Sequence, residues 1–403
     1  MRKIQIGVLS EHFINWGGGI DFIRLILNSL SSLSKENENE IKIYVFIPQQ
    51  SGSIIKIKNR LKTVINTVTH KNYQFQKVIP KELIIKSFSS IDDNITLCFY
   101  NNSEAGLIKL VNKHSINFMI PAFAPLSESF PIPWIGYLYD FQHRYYPEFF
   151  SEEEMKLRDG QFLLMLNNAK TIIVNAKSVK NDVKKFFGEF KSNKVVALPF
   201  CPVINPDFFK TNSDIGRYNL PTNYFMISNQ FWKHKDHKTA FRAFKLFLDN
   251  NQGNKNIALV CTGQTIDFRF PNYFQELKEL IKELELEKNI FILGYIPKVD
   301  QLQILKKCVA VIQPTLFEGG PGGFSVFESV AHGIPSIVSD IDVNKEIEDD
   351  TVTFFKTGSA SDLSKKMLFV FQKEKKEYSI DELFFKNNMR VLEMGKQILK
   401  IIN

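Results

Sequence analysis

The feature that most constrains this chain is an alternation of short apolar runs with amphipathic stretches, which occurs, stops and then occurs again. Lys3–Leu9, Ile41–Ile47, Ile95–Tyr100, Trp134–Tyr139, Thr171–Asn175 and Val195–Leu198 read as strands. Glu104–His114, Glu152–Leu166 and Ser178–Phe187 have helical spacing, as does the stretch carrying Ile20, Ile23, Ile26, Leu27 and Leu30 on one face. Strands separated by helices form βαβ units and a parallel sheet. From Pro199 to Asn223 the pattern stops, and Pro199, Pro202, Pro206 and Pro221 punctuate a linker. It restarts with strands Tyr224–Ser228, Ile257–Thr262, Asn289–Leu293, Val309–Gln313 and Ser336–Val338, alternating with helices His237–Leu248, Tyr273–Leu284, Val299–Lys307 and Phe324–Ala331. The expected fold class is α/β, with two Rossmann-like, doubly wound parallel-sheet domains facing a central cleft. Residues 1–200 form the first domain and 201–382 the second, while 383–403 form a helix packing back across the first. Such sheets take ligands at the carboxyl ends of their strands.

A length of 403 residues suits two domains of this kind. Hydrophobic content of 44% and aromatic content of 13% are enough for two cores and argue against disorder. The 37 phenylalanines exceed what cores usually need, through an AT-rich coding bias or an exposed binding face. A net charge of +8 and a pI near 9.0 favour acidic partners such as phosphates or an anionic membrane surface. No Lys/Arg tail, zinc-finger or RNA-binding signature is present, so no nucleic-acid partner is expected. Cys98, Cys201, Cys261 and Cys308 are far apart and form no CxxC pair, as expected for buried free thiols in a reducing compartment. No apolar run reaches the roughly 18 residues of a membrane span. Ile4–Leu9 is too short and interrupted for a signal peptide. The expectation is a cytoplasmic protein, compatible with a peripheral position on the inner face of an anionic membrane.

Chemistry concentrates between Gln313 and Asp340, QPTLFEGGPGGFSVFESVAHGIPSIVSD. A strand end, a Gly-rich loop and a helix starting near Phe324 bring backbone N–H groups and the positive end of a helix dipole to one place, where an anion is favoured. Glu318 and Glu328 flank this turn with nine residues between them. A carboxylate offers two oxygens to a pair of vicinal hydroxyls.

This stretch resembles the donor-binding signature of the retaining glycosyltransferases of the GT-B fold, family 4, also called glycosyl transferases group 1. The resemblance implies that Glu318 contacts the donor sugar and that Glu328 holds the ribose. The N–H groups of Gly322, Gly323, Phe324 and Ser325 would take the diphosphate. The family normally has seven residues between the two glutamates, so this chain carries a longer loop. Ser228–His237 resembles the segment in which an Arg and a Lys clamp the donor phosphates. Lys235 falls on the Lys position and Gln230 falls where the Arg is expected, leaving one charge fewer, which Lys233 is a candidate to supply. Gly294 and Tyr295 follow a strand where the family's backbone reads the base. Gly18 and Gly19, in the Gly17–Gly19 loop, match the first-domain loop that approaches the donor. Asp140 and His143, within Trp134–Phe149, match the acceptor-facing stretch, and Glu346 is a candidate near the donor sugar.

The implied reaction transfers a hexose-type sugar from a nucleoside diphosphate sugar to a glycan or lipid-linked glycan, with retention and with no cofactor or metal. Asp340-Ile341-Asp342 also fits the DxD metal signature of a different glycosyltransferase fold, but it follows the strand after the donor helix. Lys and Phe in Lys177–Phe187 fit either an anionic membrane surface or an ordinary helix with its Phe inward. Two further readings stay open: a non-catalytic nucleotide-sugar or glycan-binding protein, and a GT-B-like nucleotide-sugar epimerase. A dinucleotide dehydrogenase is disfavoured because Gly17–Gly19 lacks GxGxxG spacing.

Overall fold

The computed structural model describes residues 4–15, 17–36, 40–49, 80–89, 91–189, 194–198, 203–204, 207–210, 213–251 and 256–402. The chain divides into two units, Met1–Cys201 with Asn388–Asn403, and Pro202–Asn387.

In the first unit, β1 (Ile4–Leu9), β2 (Ile41–Pro48), β3 (Ile95–Tyr100), β4 (Phe118–Ala122), β5 (Trp134–Tyr137), β6 (Thr171–Val174) and β7 (Val195–Ala197) form one sheet in the order β3-β2-β1-β4-β5-β6-β7. The pairs are parallel, and β1 lies between β2 and β4, where the order reverses. Crossovers include α1 (Gly17–Glu36), α2 (Lys81–Ser89), α3 (Glu104–His114), α4 (Glu152–Asn168) and α5 (Lys177–Phe187). Ile23, Ile26, Leu27 and Leu30 of α1 are fully buried, as the 3.6-residue periodicity of that face requires. Helix α4 starts with a reciprocal capping box between Ser151 and Glu154, which satisfies two otherwise unpaired N–H groups.

The second unit has β8 (Asn223–Ser228), β9 (Ile257–Thr262), β10 (Ile290–Gly294), β11 (Val311–Gln313), β12 (Ser336–Ser339) and β13 (Val352–Phe355), in the order β10-β9-β8-β11-β12-β13. Its helices are α6 (His237–Asn250), α7 (Tyr273–Glu283), α8 (Lys298–Lys307), α9 (Gly323–Ala331) and α10 (Ala360–Gln372). Phe225, Phe241, Phe244, Phe247 and Phe355 lie in one fully buried cluster with Leu259 and Leu363. Much of the excess phenylalanine is therefore core. The order reverses at the β8/β11 pair, and diverging crossovers open a crevice at the carboxyl ends of such a pair.

Helix α11 (Ile380–Ile402) begins in the second unit and ends in the first. Asn387 donates to the Ala331 carbonyl at 3.1 Å, holding the start of α11 to the end of α9. Further on, Gly395 lies where a Cβ would stand 2.3 Å from the Ser29 carbonyl of α1.

Several expectations need correction. Strands β4 and β13 and helices α2 and α10 have no counterpart in the sequence reading. Gly17–Gly19 is the first turn of α1 rather than a loop. The linker contains a helical turn at Asp207–Lys210 and a 3-10 turn at Gly216–Tyr218. Cys98, Cys261 and Cys308 are buried free thiols, and Cys201 lies outside the described residues. Among the described residues no helix is long and apolar enough to cross a membrane.

Gly395→Ala is expected to force α11 off α1 at a cost of about 1–3 kcal/mol. Thermal unfolding followed by circular dichroism checks this: the melting temperature should fall by several degrees, and an unchanged value would refute the close packing.

Candidate functional site

Two loops meet at the β8/β11 switch point. The loop after β8 closes in a 3-10 turn, Lys233–Lys235, and the loop after β11 runs from Pro314 to Gly322, where α9 begins. The His234 carbonyl ties them together by accepting from Leu316 N at 2.8 Å and from Thr315 Oγ1 at 3.2 Å. Within this frame the Lys235 ammonium contacts Glu318 Oε1. The two side chains are only 10% and 11% exposed. Gln313 Nε2 donates to the same Glu318 oxygen at 3.0 Å and to the Gly322 carbonyl at 2.6 Å.

The Gly-rich turn is held from its other side by Asn344. Its Oδ1 accepts from Gly322 N at 2.8 Å, while its Nδ2 donates to the Ser339 carbonyl at 2.9 Å. Ser339 Oγ in turn donates to the Thr315 carbonyl at 2.6 Å. Gly322 and Gly323 have φ of 65° and 60°, a left-handed conformation that side chains disfavour. A Cβ on Gly322 would stand 2.7 Å from Val326 Cβ, and one on Gly323 3.2 Å from Gln313 Nε2. The two glycines thus turn the chain into α9 directly over the Gln313–Glu318 contact. Helix α9 has no side-chain N-cap bond, and its first-turn N–H groups have no carbonyl one turn back to bond. Phe324 and Ser325 are half-buried, and Ser325 Oγ is shielded from solvent with no hydrogen-bond partner among the described residues. A helix start of this kind favours an anion, and Lys235 is linked to it through Glu318 and Gln313.

Glu328 lies on α9, further from the turn. Its carboxylate is bound through both oxygens by Lys298 Nζ at 2.6 and 2.8 Å. Lys298 opens α8 just after Gly294, which is left-handed at φ 66°, and Tyr295, which is 81% exposed.

Other predicted residues are placed as follows. Gln230 is exposed. Lys233 directs its ammonium over the Phe270 ring at 4.3 Å. Asp340 accepts from Thr357 N and Oγ1, both at 2.8 Å, and the Thr357 N–H holds its carboxyl below the usual range. Asp342 is 89% exposed. Glu346 ends the 3-10 turn Asn344–Glu346 and is half-buried.

In the first unit, Gly19 allows α1 to touch the Phe13 carbonyl, 2.2 Å from where its Cβ would stand. Gly18 precedes it, half-buried. Asp140 Oδ1 accepts from Gln142 N at 2.9 Å and faces Arg158 at 3.5 Å. His143 is fully buried among the rings of Phe141, Phe150 and Phe162. Its Nε2 lies 2.9 Å from Asp159 Oδ1, while burial lowers its pKa. Its ring therefore presents nothing to solvent in this conformation. Phe186 of α5 packs on Phe141 and Tyr145.

Sequence reasoning missed Gln313, Asn344 and Lys298 as site residues. Gln313 was visible as a polar residue ending an apolar strand, and Lys298 as a cation at a helix start. Asn344 carried no signal, because its partner lies 22 residues back.

Residues 209–382 match the family model described as glycosyl transferases group 1. The matched residues lie in the second unit, which is therefore similar to glycosyl transferases group 1. Part of the chain is 27% identical over 209 residues to the alpha-1,3/1,6-mannosyltransferase ALG2 of Dictyostelium discoideum, covering 47% of this chain and 48% of that protein. It is 29% identical over 147 residues to the ALG2 of Saccharomyces cerevisiae, covering 34% of this chain and 28% of that one. The matches thus span about half or less of these curated relatives' length. Among solved structures, Anabaena Alr3699/HepE in complex with UDP and glucose matches with a TM-score of 0.61 at 15% identity, over 98% of each chain. A glycosyltransferase from Rickettsia africae matches with a TM-score of 0.60 at 14% identity, over 100% of this chain and 98% of that one. The fold is GT-B. Lys235, Glu318, Glu328 and the Gly322–Gly323 turn all lie within the matched residues.

Two predictions follow from the surroundings of Lys235. Replacing it with Met strands the Glu318 carboxylate and should destabilise the protein by about 3 kcal/mol, whereas Lys235→Met with Glu318→Gln should recover much of that. Urea denaturation of the single and double variants measures both, and additive losses would show that the pair is not coupled. The neighbouring His237 is fully buried and stacks on Phe231 at 4.4 Å. Burial, then Lys235, pushes its pKa down to about 3, against about 6.5 in the unfolded chain. A depressed folded pKa contributes stability that is complete above the unfolded value and is lost as pH falls toward the folded one. His237→Phe should therefore flatten the acid loss of stability across that window, and an unchanged slope of urea midpoints against pH would contradict this.

Proposed function

We propose that this protein is a retaining, metal-independent glycosyltransferase that moves a hexose-type sugar from a nucleoside diphosphate sugar to a glycan or lipid-linked glycan, in cell-surface polysaccharide assembly. The observation that carries the reading is the convergence at one switch point of a glycine turn into a helix N-terminus, a buried Lys235–Glu318 pair, and a second carboxylate, Glu328. Fold alone would not carry it, since one fold hosts many functions. The mannosyltransferase relatives favour a hexose, and the neighbour solved with UDP favours a nucleotide donor.

In this reading Lys235 and the first-turn amides of α9 hold the diphosphate. They balance the charge that builds as the bond between the anomeric carbon and the diphosphate oxygen breaks. Glu318 accepts hydroxyls of the sugar, Glu328 accepts those of the ribose, and the backbone at Gly294–Tyr295 meets the base. The acceptor oxygen attacks from the face the diphosphate leaves, and its proton passes to the departing phosphate oxygen. No carboxylate is assigned as a nucleophile on the opposite face, the arrangement used by many retaining hydrolases. With Lys235 and the helix terminus supplying positive charge, the reaction is written without a metal ion. Gly18, Gly19, Asp140 and His143 are the first-unit candidates to face donor and acceptor, and His143 requires a rearrangement of its aromatic cage to do so. Association with an anionic membrane rests on the lysines of α5, because Phe186 is already covered by Phe141 and Tyr145.

A second reading, a nucleotide-sugar-binding protein without turnover, is favoured by exposed, neutral Gln230 at a position where a phosphate-binding Arg is expected. One assay separates the two. Purified protein is incubated with labelled UDP-, GDP- and ADP-hexoses, with and without chelator, in the presence of membrane and glycan extracts. The proposal expects transfer from one donor class, unaffected by chelator and lowered about 100-fold or more in kcat/KM by Lys235→Ala or Glu328→Ala. Stabilisation by a donor without transfer or hydrolysis favours the binding protein, and loss of activity with chelator refutes metal independence.

A further inference from the structure

Lys298 breaks a local rule. It occupies the first position of α8, where the helix dipole disfavours a cation. The acidic residue of that first turn, Asp300, does not serve it. Asp300 is 1% exposed and is committed to Ser213, Arg217 and Tyr218. Compensation comes instead from α9, where both oxygens of Glu328 bind the Lys298 ammonium at 2.6 and 2.8 Å. A vicinal diol bound by Glu328 needs those same two oxygens.

The two lysine–glutamate pairs of the site are built differently. Lys235 and Glu318 are both nearly sealed, and Gln313 locks their carboxylate oxygen. Glu328 is 14% exposed while Lys298 is 49% exposed. A half-exposed ammonium regains water on release, so parting costs it little. A mostly buried carboxylate with no partner would be costly, so the lysine keeps the empty site neutral.

We infer that Lys298 is a displaceable counter-ion for Glu328: the ribose of the nucleotide takes the carboxylate from it, and Lys298 thereby sets how strongly the site prefers ribonucleotides to 2′-deoxyribonucleotides. This rests on the reading of Glu328 as the ribose carboxylate. On displacement no covalent bond changes; the ammonium exchanges one ion pair for water.

The test is isothermal titration of the full chain with UDP, GDP and ADP and their 2′-deoxy forms, for wild type, Lys298→Met, Lys298→Arg, Glu328→Gln and the Lys298→Met/Glu328→Gln double variant. Lys298→Met should tighten the ribonucleotide about 3- to 5-fold and the 2′-deoxy form less, widening the ratio of the two dissociation constants. Lys298→Arg, which keeps the charge, should stay near wild type. Glu328→Gln should bring the ratio toward one, and adding Lys298→Met to it should change nothing. Weaker ribonucleotide binding in Lys298→Met, or an equal shift of both forms, overturns the inference and leaves the ribose assignment standing. A ratio untouched by Glu328→Gln overturns that assignment, and no binding of any nucleotide by wild type overturns the donor site itself.

Discussion

The two loops of the candidate site depend on one contact, the ion pair of Lys235 with Glu318 in the crevice where β8 and β11 part. Two charges at about one-tenth exposure pay a desolvation cost that only a close, well-supported partner offsets. Gln313 supplies part of that support, because its amide serves both Glu318 and the Gly322 carbonyl. The pair therefore fixes the loop after β8 relative to the loop after β11, and it fixes both relative to the start of α9. His234 and His237 are buried beside it, and burial first, then the Lys235 charge, pushes the pKa of each imidazole down.

From that contact a chain of hydrogen bonds runs through the rest of the loop. Ser339, Thr315 and the His234 carbonyl link β12 to both loops, and Asn344 carries the connection back to the N–H of Gly322. The result is a glycine turn whose backbone is held by side-chain hydrogen bonds, the kind of preorganisation that the proposed diphosphate site requires. Glu328 stands outside this net, and its carboxylate is bound by the half-exposed Lys298. In the proposed reading the sealed pair lies at the diphosphate end of the site and the half-exposed pair at the ribose end.

Much of the fold was legible in the sequence because parallel strands buried on both faces read as nearly continuous apolar runs. Ile95–Tyr100 and Ile257–Thr262 have the same bounds in sequence and structure. Strand β4 was hidden because Phe118–Ala122 is five residues long and contains Pro121, which reads as a breaker. β13, with Val352–Phe355 after an acidic stretch, was too short to carry a period. Losing β4 matters, since it neighbours β1 at the first sheet's switch point. Sheet order is a property of long-range pairing and has no local signal. Within the site, the glycine turn and its two glutamates were readable from local spacing. The ion pairs were not, because Lys235 meets Glu318 across 83 residues and Lys298 meets Glu328 across 30. Lys233 shows the limit of position alone: its ammonium lies over Phe270, a partner 37 residues ahead that no local pattern marks.

The most direct test of the account is a crystal structure of the protein soaked with the nucleoside diphosphate it binds most tightly. The account predicts the diphosphate at the first turn of α9 beside Lys235, the ribose hydroxyls on Glu328, and the base against Gly294–Tyr295. A nucleotide bound away from the β8/β11 switch point, with the Lys235–Glu318 and Lys298–Glu328 pairs untouched, would contradict it.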